Sequence, residues 1–237
     1  MLFLKNKSKA LEKVITSLVK MSFNCILFIN INEDDMKKLK LVIVGMVLVI
    51  SSGMASAANV SGNMTLTSDY IWRGMTQTKG EPSIMGGLDV AFDNGAYVGT
   101  FAAATNFGNE TMELDYYVGY AGEVVGVGYD IGHAEITYPG GTGDFAETYL
   151  GLNFMDIGLF FAQGDEFGDY LEISYGLDWG PGTVDLSYGD YEDSGSNILV
   201  GYNLDIGDYT LTIGYADYQH VTDITKDEDT VFISISI

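Results

Sequence analysis

From residue 58 onward, apolar and polar residues alternate with period two in short runs separated by turn residues. The clearest stretch is Ser196 to Tyr218. Ile198, Val200, Tyr202, Leu204 and Ile206 alternate with Leu199, Gly201, Asn203 and Asp205. After the turn Ile206-Gly207-Asp208, Tyr209, Leu211, Ile213 and Tyr215 alternate with Thr210, Thr212, Gly214 and Ala216. Period two places the two sets on opposite faces of a strand. The unit recurs, and predicts strands near 60–73, 82–93, 96–105, 111–121, 123–138, 144–154, 157–163, 169–179, 182–190, 196–206, 208–218 and 229–237. No window with helical period competes with them.

The connections alternate in length. Asp93-Asn94-Gly95, Gly122, Met155-Asp156, Gly180-Pro181-Gly182 and Gly207 are tight, and Asn-Gly is a strong hairpin signal because its turn needs positive φ. The connections 74–81, 106–110, 139–143, 164–168, 191–195 and 219–228 are longer and polar. Short turns at one end, long loops at the other and an even strand number predict an all-β fold. That fold is a transmembrane antiparallel up-and-down β-barrel of about 12 strands, each long enough to cross a bilayer when tilted.

The faces agree with a barrel whose outside is apolar. Ile84, Leu88, Val90 and Phe92 alternate with Met85, Gly87, Asp89 and Ala91, and Leu171, Ile173, Tyr175, Leu177 and Trp179 with Glu172, Ser174, Gly176 and Asp178. No basic residue falls on an assigned apolar face, where it would cost about 2–4 kcal/mol at the bilayer midplane. Tyr70, Trp72, Tyr138, Trp179, Tyr188, Tyr209 and Tyr215 lie near strand ends and are expected to form interfacial girdles. Within 123–138 the apolar parity shifts from Val125, Val127, Tyr129 and Ile131 to Ile136 and Tyr138, which predicts a bulge near Gly132-His133 or an extension past the membrane.

The residues before 58 have another character. Lys37, Lys38 and Lys40, the apolar run 41–50 and Ala55-Ser56-Ala57 form the pattern of a secretory signal peptide, so residues 36–57 are read as one. Residues 1–35 are read as an upstream extension or a long n-region outside the fold, and 58–237 as the barrel. Charge then separates sharply. Of 33 acidic residues, 29 follow residue 57, against three basic ones, Arg73, Lys79 and Lys226. Such a surface does not bind nucleic acid, which requires Lys and Arg against phosphate. The single cysteine, Cys25, lies in the first segment, so the barrel has neither a disulfide framework nor a thiolate metal site.

On the assigned parity, Asp89, Glu113, Asp115, Asp130, Glu147, Glu172, Asp178, Asp185 and Asp205 point into the lumen. Rings of carboxylates favour cations in a pore. Arg73 is placed at the top of the first strand beside Asp69, where it pairs with lumenal carboxylates, marks a constriction or forms a plain structural ion pair. No catalytic constellation is legible: no motif sets a serine beside either histidine, His133 or His220. His220 with Asp217, Asp223 and Asp227 lacks the spacing of a calcium loop and is read as a solvated acidic loop.

Leu66-Thr67-Ser68-Asp69-Tyr70-Ile71-Trp72-Arg73-Gly74, followed by Thr76-Gln77-Thr78, Pro82 and Gly86-Gly87-Leu88-Asp89, resembles the opening of the TorF-type porins of proteobacteria. Glu113-Leu114-Asp115-Tyr116, Gly119-Tyr120, Tyr129-Asp130-Ile131-Gly132 and Tyr138-Pro139 continue the resemblance. It implies an outer-membrane β-barrel porin and brings no substrate with it. The chain departs from such barrels in ending on Ser236-Ile237 rather than an aromatic residue, while Val231, Ile233, Ile235 and Ile237 keep the alternation. The expectation is a non-enzymatic outer-membrane channel for passive diffusion of small hydrophilic solutes, cation-preferring and without cofactor. Its alternative is a pore-less structural or adhesive barrel. The expected partners are outer-membrane lipid, the barrel-assembly machinery, small solutes and, as in many porins, further copies of the chain.

Overall fold

The computed structural model describes residues 58–164 and 168–237. The segments 1–35 and 36–57, read above as an extension and a signal peptide, lie outside the described residues. Twelve strands close into one antiparallel barrel: β1 (Ala58–Thr67), β4 (Ser83–Phe92), β5 (Ala96–Phe107), β6 (Glu110–Val124), β7 (Val127–Thr137), β8 (Phe145–Phe154), β9 (Ile157–Gly164), β10 (Asp169–Trp179), β11 (Gly182–Tyr191), β12 (Gly195–Ile206), β13 (Tyr209–His220) and β14 (Glu228–Ser236). Each pairs with its sequence neighbour, and β1 closes on β14. Two short strands, β2 (Ile71–Trp72) and β3 (Met75–Thr76), form a separate hairpin inside the first loop.

The stagger of the wall follows from its ladders. Tracing paired residues once round returns to β1 about 16 positions from the start, which tilts the strands by about 45°. Closure is brief: β1 meets β14 only from Thr65↔Ser236 to Thr67↔Ser234, with Met64 and Ile237 exchanging backbone hydrogen bonds of 3.1 and 3.0 Å just beyond.

The alternation read from sequence sets the two faces. Val60, Met64, Leu66, Ile84, Leu88, Val118, Ile131, Leu150, Leu159, Ile173, Leu186, Val200, Ile213 and Ile233 stand exposed on the outside. An apolar surface continuous around the circumference far exceeds what a water-soluble monomer carries, and suits hydrocarbon. Trp179, Tyr188, Tyr209 and Tyr215 are exposed on this face, as expected of girdle residues. Tyr70 and Tyr138 are buried inside the barrel instead, and Trp72 packs against the cluster that holds Tyr138, because the segments that carry them fold inward.

Four features of the sequence reading change. The first strand stops at Thr67, where its Oγ1 donates 2.6 Å to the Asp69 carbonyl and the chain turns in. The turn after β6 is Val125-Gly126, with φ of 53° and 79°, not Gly122. The connection 106–110 shrinks to Gly108-Asn109, because β5 continues to Phe107 past a register shift after Ala104. No bulge occurs at Gly132-His133, since β7 keeps one register with both neighbours. The parity shift there has another origin. Ile136 faces a packed interior, where it clusters with Tyr138 and Phe145 against Trp72, while His133 and Glu135 face outward.

Candidate functional site

The first loop, Ser68–Pro82, lies across the loop-side mouth of the barrel and fills it. Inward-facing residues near that end are buried on every barrel strand except β14: Thr67, Ser83, Thr105, Glu113, Ile136, Phe145, Ala162, Tyr170, Tyr191, Asn197 and Tyr218 among them. Asp69 organises the fold of the loop. Its Oδ1 accepts from Thr76 Oγ1 at 2.5 Å and Thr78 Oγ1 at 2.7 Å, while Thr78 Oγ1 accepts from the Tyr70 amide at 3.1 Å. The loop is then tied to the wall at separate points. Thr76 N donates 2.8 Å to Glu228 Oε2, Asn106 N donates 2.9 Å to the Gln77 carbonyl, and Tyr70 OH donates 2.6 Å to Glu113 Oε1. The other Glu113 oxygen accepts from Tyr138 OH at 2.7 Å.

At the tip of the β2–β3 hairpin stand Arg73 and Gly74, with φ of 48° and 84°. Positive φ at both central residues is the signature of the two-residue turn that matches strand twist. For an arginine this conformation costs about 1–2 kcal/mol, and its side chain makes the contacts that hold it there. Nη1 donates 2.7 Å to Glu147 Oε1 and Nη2 2.7 Å to Glu147 Oε2, and Nη1 also donates 2.7 Å to Tyr191 OH. The guanidinium carbon lies 4.2 Å from the Tyr170 ring centre, 4.5 Å from Trp72, 5.4 Å from Tyr191 and 5.7 Å from Phe160. The side chains are 10% and 7% exposed for Arg73 and Glu147. Burial by itself would lower the arginine pKa; the hydrogen bond to Glu147 and the field of Tyr191 and Glu147 outweigh it and raise the value. Burial, and then the Glu113 charge, push the Tyr70 phenol well above the usual tyrosine range. Arg73 therefore sits inside the mouth rather than at the top of a strand, because Arg73-Gly74 forms a turn.

All nine lumenal carboxylates lie on the inner face, at two kinds of place. Glu113, Asp115 and Glu147 belong to the packed mouth; Asp115 Oδ1 and the Asn197 amide nitrogen are buried there without a protein hydrogen-bond partner. Glu172 Oε2 lies 2.9 Å from Tyr170 OH at its lower edge. The rest are lower. Asp130 accepts from Tyr97 OH at 2.5 Å, Tyr97 OH meets Tyr149 OH at 2.7 Å, and Asp89 accepts from Tyr117 OH at 2.5 Å. Asp185 accepts from Asn203 Nδ2 at 2.6 Å and Asp205 from Thr210 Oγ1 at 2.8 Å, with Asp178 exposed near the turn end. Between β10 and β14 this lower lumen holds a cavity of about 310 Å³, lined by Ser174, Asp185, Ser187, Asn203, Thr212 and Phe232 among others.

The sequence left Tyr170, Tyr191 and Phe160 unassigned, because three inward aromatics on three strands share no linear motif. The histidines sit outside this interior. His133 Nδ1 is 3.0 Å from Thr148 Oγ1, its partner across the β7–β8 ladder, and its Nε2 is 3.4 Å from Glu135 Oε1, all on the outer face. No spacing within one strand reveals such a cross-strand neighbour. His220 Nδ1 accepts from the Thr222 and Asp223 amides at 3.2 and 3.1 Å, and so closes its own loop.

A family model described as a bacterial protein of unknown function, Gcw_chp, matches residues 51–232. No curated protein matches the sequence. Among solved structures, the chain is similar to a mutant of Rh. blastica porin (14% identity, TM-score 0.38, 65% of this chain and 55% of that one). It is also similar to outer membrane phospholipase A from Escherichia coli (8%, 0.43, 79% and 93%) and to outer membrane protein opdK from Pseudomonas aeruginosa (12%, 0.38, 75% and 60%). The chain thus spans just over half the length of the porin it matches.

Proposed function

We propose that the chain, which belongs to the bacterial Gcw_chp family, is an outer-membrane channel for passive diffusion of small hydrophilic solutes, cation-preferring, whose loop-side mouth is held shut by its first loop. The observation that carries this reading is the division of charge across the wall. The nine carboxylates named from sequence point inward together with Glu228, the apolar residues point outward, and the one lumenal arginine is committed to Glu147. An acidic passage with low-dielectric walls concentrates cations. The outer apolar belt supplies the contact with outer-membrane lipid, and the closed ladder pairs backbone groups that hydrocarbon cannot satisfy. The resemblance of Leu66–Asp89 to TorF-type porins supports the same class.

A barrel without a usable pore is the second reading, favoured by the tyrosines: Tyr97, Tyr117 and Tyr149 point into the lumen below the loop, where Tyr97 contacts both of the others. Planar-bilayer recording of the refolded 58–237 barrel separates the two. Current steps that grow more frequent in Arg73→Ala, with a reversal potential on the cation side of a salt gradient, support the gated channel. A folded, inserted barrel that passes no current in either form overturns it.

A further inference from the structure

The seat of Arg73 has the construction of a receptor site for a guanidinium ion. Four consecutive wall strands build it: β8 gives Glu147, β9 Phe160, β10 Tyr170 and β11 Tyr191. A carboxylate accepting two parallel N–H bonds selects a planar fork over a point charge. Aromatic faces stacked about the same carbon add attraction for a delocalised cation. The loop contributes the occupant and one ring, Trp72. That occupant is held on a strained backbone at the tip of a hairpin.

We propose that this seat is a binding site for small alkylguanidinium cations, with Arg73 as its resident occupant, and that a solute bearing the same group displaces Arg73 and so releases the tip of the β2–β3 hairpin. The inference names the solute class of the proposed channel and in that respect rests on it, whereas the binding itself requires no current. Arg73 competes intramolecularly, at an effective concentration of the order of millimolar or above, so the seat is best read once the arginine is removed.

The test follows Trp72 fluorescence in a folded barrel carrying Trp179→Phe, which removes the other tryptophan. Added Arg73→Ala empties the seat. Ethylguanidinium should then give a saturable change in emission at concentrations about tenfold lower than ethylammonium, which has the charge without the fork. Adding Glu147→Gln should abolish that difference. With Arg73 present, half-saturation should move to concentrations at least about tenfold higher. Should Arg73→Ala not fold, Arg73→Lys keeps a cation in the mouth and is titrated in its place. Equal binding of the two cations, or a preference that survives Glu147→Gln, overturns the proposal. A barrel that prefers guanidinium yet never conducts keeps the site and removes the channel; one that conducts without the preference does the reverse.

Discussion

Arg73 and Glu147 face each other as a two-pronged ion pair, each nitrogen–oxygen distance 2.7 Å, between the tip of the first loop and the wall strand β8. Both are nearly excluded from solvent. Removing one partner of such a pair strands a buried charge, at a cost of about 3–5 kcal/mol, whereas removing both together costs far less. Glu147→Gln should therefore destabilise the barrel by about that amount in urea unfolding from detergent micelles. Arg73→Met with Glu147→Met should recover much of the loss. Single and double variants with additive effects would show the pair to be idle.

The pair depends on the residue that follows it. Gly74 has φ of 84°, and a Cβ there would lie 2.5 Å from Asn197 Cβ and 2.8 Å from the Asp217 carbonyl. Gly80, in the same loop, has φ of 77° and open space around it. Gly80→Ala should cost about 1 kcal/mol of backbone strain. Gly74→Ala adds a collision with the wall to the same strain, and should lift the hairpin off its seat. Trp72 emission shifted to the red in Gly74→Ala and unchanged in Gly80→Ala is the expected result.

These two residues show what a sequence does and does not disclose. The wall is legible because each strand repeats one local rule, apolar out and polar in, and four of the five tight turns carry a glycine. The loop is not. Tyr70, Trp72 and Tyr138 have the composition of a membrane girdle, and alternation cannot tell an aromatic that meets lipid from one that meets a folded-in loop. The inverted parity at Ile136 was the one signal of a packed interior, and it reads equally well as a bulge. The seat itself joins residues from loop 1, β8, β9, β10 and β11, so its existence rests on barrel closure and on no local pattern.

Tyr70 gives the loop a pH limit. Its phenol donates to Glu113, and burial followed by that charge raises its pKa above the ordinary value near 10. A group whose folded pKa is raised contributes its full stability below the unfolded pKa and loses it as pH climbs from there toward the folded value. Barrel stability should thus be flat up to about pH 10 and fall above it. Tyr70→Phe should flatten that fall while lowering stability at neutral pH by about 1–3 kcal/mol, since one Glu113 oxygen loses its donor. An unchanged slope in Tyr70→Phe would place the alkaline loss elsewhere.

The lumenal carboxylates should differ in their effect on ion selectivity, because the structure divides them. Asp115 is packed beneath the first loop, whereas Asp185 lines the open cavity and Asp178 stands exposed near the turn end. A permeating cation feels a charge more strongly the closer it passes and the fewer counter-charges pair with it. Asp178→Asn with Asp185→Asn should accordingly shift the reversal potential of the barrel toward zero under a salt gradient. Asp115→Asn should leave it nearly unchanged in the wild-type background. With Arg73→Ala, which releases the hairpin tip from β8, Asp115→Asn should begin to matter, and its shift should approach that of the lower pair. Equal effects of the upper and lower substitutions in both backgrounds would mean that ions already pass the loop, and that the first loop narrows the mouth without closing it.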